Sequence, residues 1–153
     1  MEIHIECVPD ETLVSKIGFS KRQVKHHAGK SRVFGTIEKL NDQIALVDED
    51  PGQVKHRYEK RLVFQRKKDG ISYFLDPTLN NKVIVLKVKL EDWIIASCKK
   101  TKINPIAFGL PDKPNELHSV ILNRLKSFNK LLDELQHVVE SPIITLEKFI
   151  REI

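Results

Sequence analysis

Residues 44–52 read IALVDEDPG: four apolar residues, three acids in succession, then Pro and Gly. The apolar run carries no polar alternation, and a strand buried on both faces reads this way. Such strands belong to parallel sheets flanked by helices. The acids and the Pro-Gly pair mark where the backbone leaves the core, so negative charge gathers at the carboxyl end of the strand. In open parallel sheets that end is where ligands bind, because the connections diverge there and leave a crevice.

Working outward, strand-and-helix units recur on both sides. EIHIEC at 2–7 alternates and is rich in β-branched residues, which predicts a first strand with a turn at Pro9. Asp10 then reads as the N-cap of a short helix with Leu13, Val14 and Ile17 as its apolar stripe, stopping at Gly18. SKRQVKHHAG at 20–29 holds too little apolar content for more than a short edge strand or a loop. Ser31 reads as the cap of a helix through Val33, Phe34, Ile37 and Leu40, with a turn at Asn41 and Asp42. Beyond the opening stretch, LVFQRKKDGISYFL contains two alternating runs around Asp69-Gly70, the signature of a hairpin, expected as an insertion at about 60–75. VIVLKV at 83–88 reads as another central strand, and LEDWIIASCKK as a helix turning Leu90, Trp93, Ile94 and Cys98 inward. After a loop rich in Pro and Gly, apolar residues from Leu117 to Val139 fall at helical spacing and predict one amphipathic helix of about six turns. Ser141-Pro142 opens a last helix. The alternation gives an α/β, Rossmann-like fold with a mainly parallel central sheet flanked by helices. The expected organisation is a single domain over 1–153, with a core at 1–100 and a C-terminal helical extension at 115–153.

Composition bounds the function. A chain that is 41% hydrophobic and 31% charged is ordinary for a folded protein, and 153 residues suffice to bury roughly two thirds of the unfolded surface. VIVLKVKL is broken by lysines and falls short of the ~20 apolar residues a membrane helix needs. Acids stand near the N-terminus where a signal peptide needs a basic region, so a cytoplasmic protein is expected. Cys7 and Cys98 are too few for a disulfide framework, form no CxxC, and read as reduced thiols. The net charge of +5 is uneven, because Lys55, Arg57, Lys60, Arg61, Arg66, Lys67 and Lys68 share one segment. That segment suits two readings: contact with nucleic-acid phosphates, or a solvated hairpin whose cations discourage edge pairing. The C-terminal helices likewise suit packing on their own sheet or contact with a partner protein or a second copy.

The remaining chemistry lies in the acids that end the strands: Glu6 on the first, Asp48, Glu49 and Asp50 on the opening one, and Glu91 and Asp92 after VIVLKV. Carboxylates brought together in a low dielectric repel, so one stays protonated or a cation neutralises them. Oxygen ligands without His or Cys suit Mg²⁺ or Mn²⁺. Competing motifs fail. AGKS at 28–31 imitates the end of a phosphate loop, but Val24 stands where that loop needs Gly. The histidines offer no zinc spacing, and adjacent His26 and His27 point in different directions. Trp93 reads as a core anchor, and no GxSxG occurs.

IECVPDETL, followed in a later strand by IALVDEDPG, resembles the Toprim domain. That domain is the metal-binding α/β module of primases, type IA and type II topoisomerases, small ribonucleases that mature ribosomal RNA, and overcoming-lysogenization-defect nucleases. Its pattern is a strand ending in Glu with an Asp four residues on, then a strand ending in Asp, any residue, Asp. Glu6 and Asp10 match the first part, and Asp48 and Asp50 the second. The resemblance implies Glu6 as general acid or base and metal contact, Asp48 and Asp50 as Mg²⁺ ligands, Glu91 as a further ligand, and Lys30 as a phosphate contact. A topoisomerase needs a tyrosine nucleophile on another domain and a primase needs template-binding domains, which leaves a small metal-dependent nuclease as the expected activity. Cys7 stands where the family usually has Gly. That departure favours the alternative of an inactive binding or regulatory subunit in a larger defence or repair assembly.

Overall fold

Ile44, Ala45, Leu46 and Val47 are all buried in a computed structural model that describes residues 1–152. They form β3 (Ile44–Asp48), which has neighbours on both sides and cover on both faces. Ile44 and Leu46 face one core with Leu13, Val14, Ile94, Leu131 and Leu132. Ala45 and Val47 face a smaller one with Val33, Phe34, Ile37 and Tyr58. Burial on alternate faces is why the run needs no polar residue.

The sheet also contains β1 (Ile3–Ile5), β2 (Val24–His26), β4 (Val63–Lys68), β5 (Ile71–Asp76) and β6 (Asn81–Leu86), in the order β2-β1-β3-β6-β5-β4. The strands β2, β1, β3 and β6 run parallel, and β5 and β4 complete the sheet antiparallel to their neighbours. Helices α1 (Val8–Ile17), α2 (Lys30–Ile37) and α3 (Leu90–Thr101) follow β1, β2 and β6, so all three begin at the carboxyl rim of the parallel strands. The C-terminal helices are α4 (Pro114–Val120), α5 (Leu125–Gln136) and α6 (Pro142–Arg151), with α4 packed on α3 and α5 packed on α1 and α6. No helix among the described residues is long and apolar enough to cross a membrane.

Several local expectations are corrected. Asp10 is not the N-cap of α1: Cys7 holds that position and Asp10 sits buried in the first turn. Helix α2 starts at Lys30, capped by Gly29 at φ 106° rather than by Ser31, because glycine adopts the left-handed side freely. The hairpin turns at Asp69-Gly70 as expected, but it is no excursion from the sheet; β5 pairs along its length with β6. The six-turn helix is divided, with a 3-10 turn at Ile121–Asn123 and non-helical backbone at Arg124 between α4 and α5. Apolar spacing records which side chains face inward, and here the first half packs on α3 while the second packs chiefly on α1 and α6.

Asn81 ties these layers together. Its buried amide donates to the carbonyls of Ile37 (2.9 Å) and Leu40 (3.0 Å) and to Tyr58 Oη (3.0 Å), and its Oδ1 accepts from the Gln43 amide at 2.8 Å. One side chain thus fixes the end of α2, the start of β3 and the 3-10 helix at Arg57–Arg61. Asn81→Ala strands several buried polar groups at once, each costing about 1–3 kcal/mol. We expect a loss of roughly 3 kcal/mol or more in urea unfolding, against a negligible change for exposed Lys99→Ala.

Candidate functional site: an acidic rim beside an open cavity

Because β1 and β3 are adjacent and parallel, the residues that end them meet at one rim. Glu6 Oε2 accepts from the Asp48 amide at 3.5 Å. Asp48 Oδ1 accepts from the Leu90 amide at 3.0 Å, which satisfies a free donor in the first turn of α3. Asp10 and Glu91 rise beside them from the first turns of α1 and α3, where the positive ends of the helix dipoles favour negative charge. Glu91 is buried and accepts from His118 Nδ1 at 3.0 Å, so this candidate ligand already has a partner.

The rim is drawn tight beyond the strand ends. The Glu49 amide donates to Leu86 O, the Asp50 amide to Val88 O, and the Val88 amide to Glu49 Oε1 at 3.2 Å. Asp50 and Val88 both adopt left-handed backbone, at φ 46° and 64°. For a β-branched residue this is a strained geometry, and such strain gathers at functional sites.

Beside the acids lies a cavity of about 630 Å³ whose walls include Glu6, Lys30, Asp50, Lys55, His56 and Glu59. Lys30 Nζ donates to Glu49 O at 3.0 Å and stands 3.8 Å from Asp50 Oδ2. The first turn of α2, with Lys30 and Ser31, faces this space.

Burial, and then mutual repulsion, dominates the electrostatics. Burial pushes the Asp48 carboxyl up to about 8, reinforced by the charges of Asp10, Glu6, Asp50 and Glu91. Burial lifts Glu6 to about 7; its hydrogen bond from the Asp48 amide and the Lys30 charge oppose the rise, while Asp10 and Asp50 add to it. Asp10 is raised to about 6, again chiefly by burial. The Cys7 thiol is pushed far up by burial and by Asp10, so it stays protonated. Five acids, Glu6, Asp10, Asp48, Asp50 and Glu91, therefore act on one another at this rim, whereas Glu49 accepts from the Val88 amide and Asp92 lines a separate cavity beside Trp93. Among the described residues, no three His, Cys, Asp or Glu side chains form a group that could hold a metal ion as they stand. The donor chemistry still fits magnesium, which retains several waters and takes only one or two carboxylates.

The basic segment does not converge on the rim. Lys55 lines the cavity, but Arg57 pairs with Glu38 (2.8 Å), Arg61 lies 3.5 Å from Asp76, and Arg66 pairs with Glu152 (2.8 Å). Lys60 is exposed on the 3-10 helix, and Lys67 and Lys68 on edge strand β4. That strand lies three places from β3, about 14 Å at ordinary strand spacing. Among the histidines, His26 meets Glu11 at 2.6 Å while His27 turns to buried His4 at 2.8 Å, so the adjacent pair does diverge. Trp93 is buried, its Nε1 donating to Asp69 O at 2.9 Å.

The sequence did not reveal that Gln53, His56 and Glu59 line the cavity, since the loop that carries them has no periodicity. Nor did it mark the Asp48 bond to α3, which depends on the parallel pairing of β3 with β6. The fold and rim together define the class: an α/β protein with a mixed, mostly parallel sheet and an acid cluster at its carboxyl rim. Compared with known proteins, the chain matches no family model, no curated protein and no solved structure.

The raised carboxyls link stability to pH. A carboxyl with a higher pKa in the folded state contributes stability below its unfolded pKa, and this is lost as pH rises through the folded value. With ordinary values of 3.8 for Asp48 and 4.5 for Glu6 and folded values of about 8 and about 7, that loss runs from about pH 4 to about pH 8. In chelator, the melting temperature should fall across this window. Asp48→Asn, which keeps the acceptor for Leu90, should melt higher than wild type at pH 8.5 and flatten the slope. A flat wild-type profile would mean that the acids do not interact.

Proposed function

We propose that this protein is a Mg²⁺- or Mn²⁺-dependent nuclease of Toprim-like type, hydrolysing phosphodiester bonds of nucleic acid at the rim of β1 and β3. The observation that carries the reading is the conjunction at one rim of carboxyls raised by burial and mutual repulsion with a cavity lined by Lys30 and Lys55. An acid cluster alone is a cost, and a divalent cation is the ligand that relieves it. Cations alone would only bind phosphate.

The residues divide the work. Asp48 and Asp50 would hold the metal, with Glu6 and Glu91 beside them, and the bound ion would supply charge stabilisation at the phosphoryl and leaving oxygens. Glu6, raised by burial at the end of β1, is placed to accept the proton of the attacking water, and a bound cation would lower it toward the ionised form a base needs. Lys30, at the head of α2, and Lys55 bind non-bridging phosphate oxygens. The strained turn at Asp50 holds its carboxylate against the cavity. A second reading, a binding subunit without turnover, draws on Lys30: its ammonium already stands beside Asp50 and partly neutralises the rim without a metal.

Two measurements separate these readings. Millimolar Mn²⁺ should raise the melting temperature of the wild type by several degrees and barely move Asp48→Asn/Asp50→Asn, because a ligand specific to the native state stabilises it. Equal shifts in both proteins would refute the metal site. With Mn²⁺ and labelled DNA or RNA, Glu6→Gln should lower the cleavage rate by about 10²–10⁴-fold while keeping the thermal shift. A metal shift without cleavage of any nucleic acid would favour the binding subunit.

A further inference from the structure

The open face of the β4–β5 hairpin has no place in the mechanism above. Helix α2 and the 3-10 helix at Arg57–Arg61 cover this face of the sheet over β3 and β6, where Ala45, Val47 and Val83 are buried with Val33, Phe34, Ile37 and Tyr58. Phe74, Val85 and Leu62 are only partly buried at the margin of that cluster, and all of β4 is exposed. Phe64 is 55% exposed and meets Phe74 edge to face, with ring centroids 5.8 Å apart. A stacking face is thus left free of other protein.

The cations around this ring are set by register. Phe64 pairs with Phe74 and Lys67 with Ser72, across an irregularity between Phe64 and Arg66. The extra residue shifts the alternation, so Lys67 shares the face of Phe64 instead of lying on the opposite one. Arg66 goes to the other face, where it pairs with Glu152. At the other end of the hairpin, Arg61 lies over the Tyr58 ring at 5.3 Å, next to exposed Lys60. The face therefore carries cations at both ends and an exposed aromatic ring between them.

We propose that this face binds single-stranded nucleic acid, with an unpaired base stacked on Phe64 and the flanking phosphates on Lys67 and on Lys60 and Arg61. A duplex hides the faces of its bases and offers such a ring nothing to stack on; an unpaired strand offers both the base and the backbone charge. A second copy of this chain fits less well: pairing β4 with β4 would bring Arg66, Lys67 and Lys68 of both copies into one ladder. The proposal rests on the reading that this protein acts on nucleic acid, and gives it a substrate form: a strand lying across the hairpin, its backbone continuing toward the acidic rim.

Fluorescence anisotropy in chelator tests this apart from the metal site, because a failed Mn²⁺ titration at Asp48 leaves it unchanged. The probes are labelled oligothymidylate, oligouridylate and a DNA duplex of equal length. One or both single strands should bind more tightly than the duplex. Phe64→Ala should weaken single-strand binding about tenfold and leave the duplex unaffected, while Phe64→Trp keeps it. Lys67→Ala should reduce the dependence on salt. Phe64 is exposed, so its variants fold. Equal affinity for single strand and duplex, or wild-type binding by Phe64→Ala, overturns the proposal. So does a wild type that sediments as a dimer and becomes monomeric in Phe64→Ala, which would assign the face to a second copy.

Discussion

Everything at the rim follows from the adjacency of β1 and β3. Two parallel strands side by side must release their chains at the same edge, and here both end in carboxylates. Burying such groups together is unfavourable, and the surroundings moderate the cost without removing it. Helix α3 gives Asp48 an amide, the dipoles of α1 and α3 point positive ends at the cluster, and Lys30 stands over Asp50. Glu6 and Asp48 nonetheless remain well above the ordinary carboxylate range. A fold selected for stability alone would place one of these acids elsewhere.

The fold was legible wherever burial writes itself into periodicity. IALV announced a strand covered on both faces, and the structure covers it on both. The sequence Asp69-Gly70 announced a hairpin, and Ser141-Pro142 a helix start. Failures came where a residue's role depends on a distant partner. Nothing local in Asn81 shows that it will satisfy the end of α2 and the start of β3 together. Nothing in the run from Leu117 to Val139 shows that its second half will turn chiefly to α1 and α6 while the first packs on α3. The meeting of acids was legible because strand order in α/β sheets constrains where ends fall, whereas the dispersal of the cations was not, since segment charge says nothing of the faces to which a bulge sends each side chain.

That dispersal leaves the cations available. Arg57, Arg61 and Arg66 pair with Glu38, Asp76 and Glu152, yet Arg57 and Arg66 are largely solvent-exposed and Arg61 nearly half so. Solvent screens exposed ion pairs, so a phosphate can displace such a partner at small cost. The buried partner is different: Asp76 also accepts from Tyr58 Oη and from the amides of Thr78 and Leu79. Its carboxylate keeps its hydrogen bonds whether or not Arg61 turns outward. Of the cations, Lys30 stands 3.8 Å from Asp50, and Lys55 lines the same cavity.

Cys7 bears on the choice between an active and an inactive site. A glycine is required where the backbone turns left-handed or where another group must approach closely, but Cys7 adopts extended backbone at φ −147° that any residue accepts. Conformation therefore does not demand glycine here. The side chain adds a thiol beside Asp10, held protonated by burial and by that acid's charge. A neutral thiol next to a carboxylate donates to it and lowers its proton affinity, as it does for Asp10. Cys7 thus removes neither a carboxylate nor the backbone path between β1 and α1. It moderates the rise of Asp10 and leaves Glu6 and Asp48 as the carboxyls raised highest at the rim.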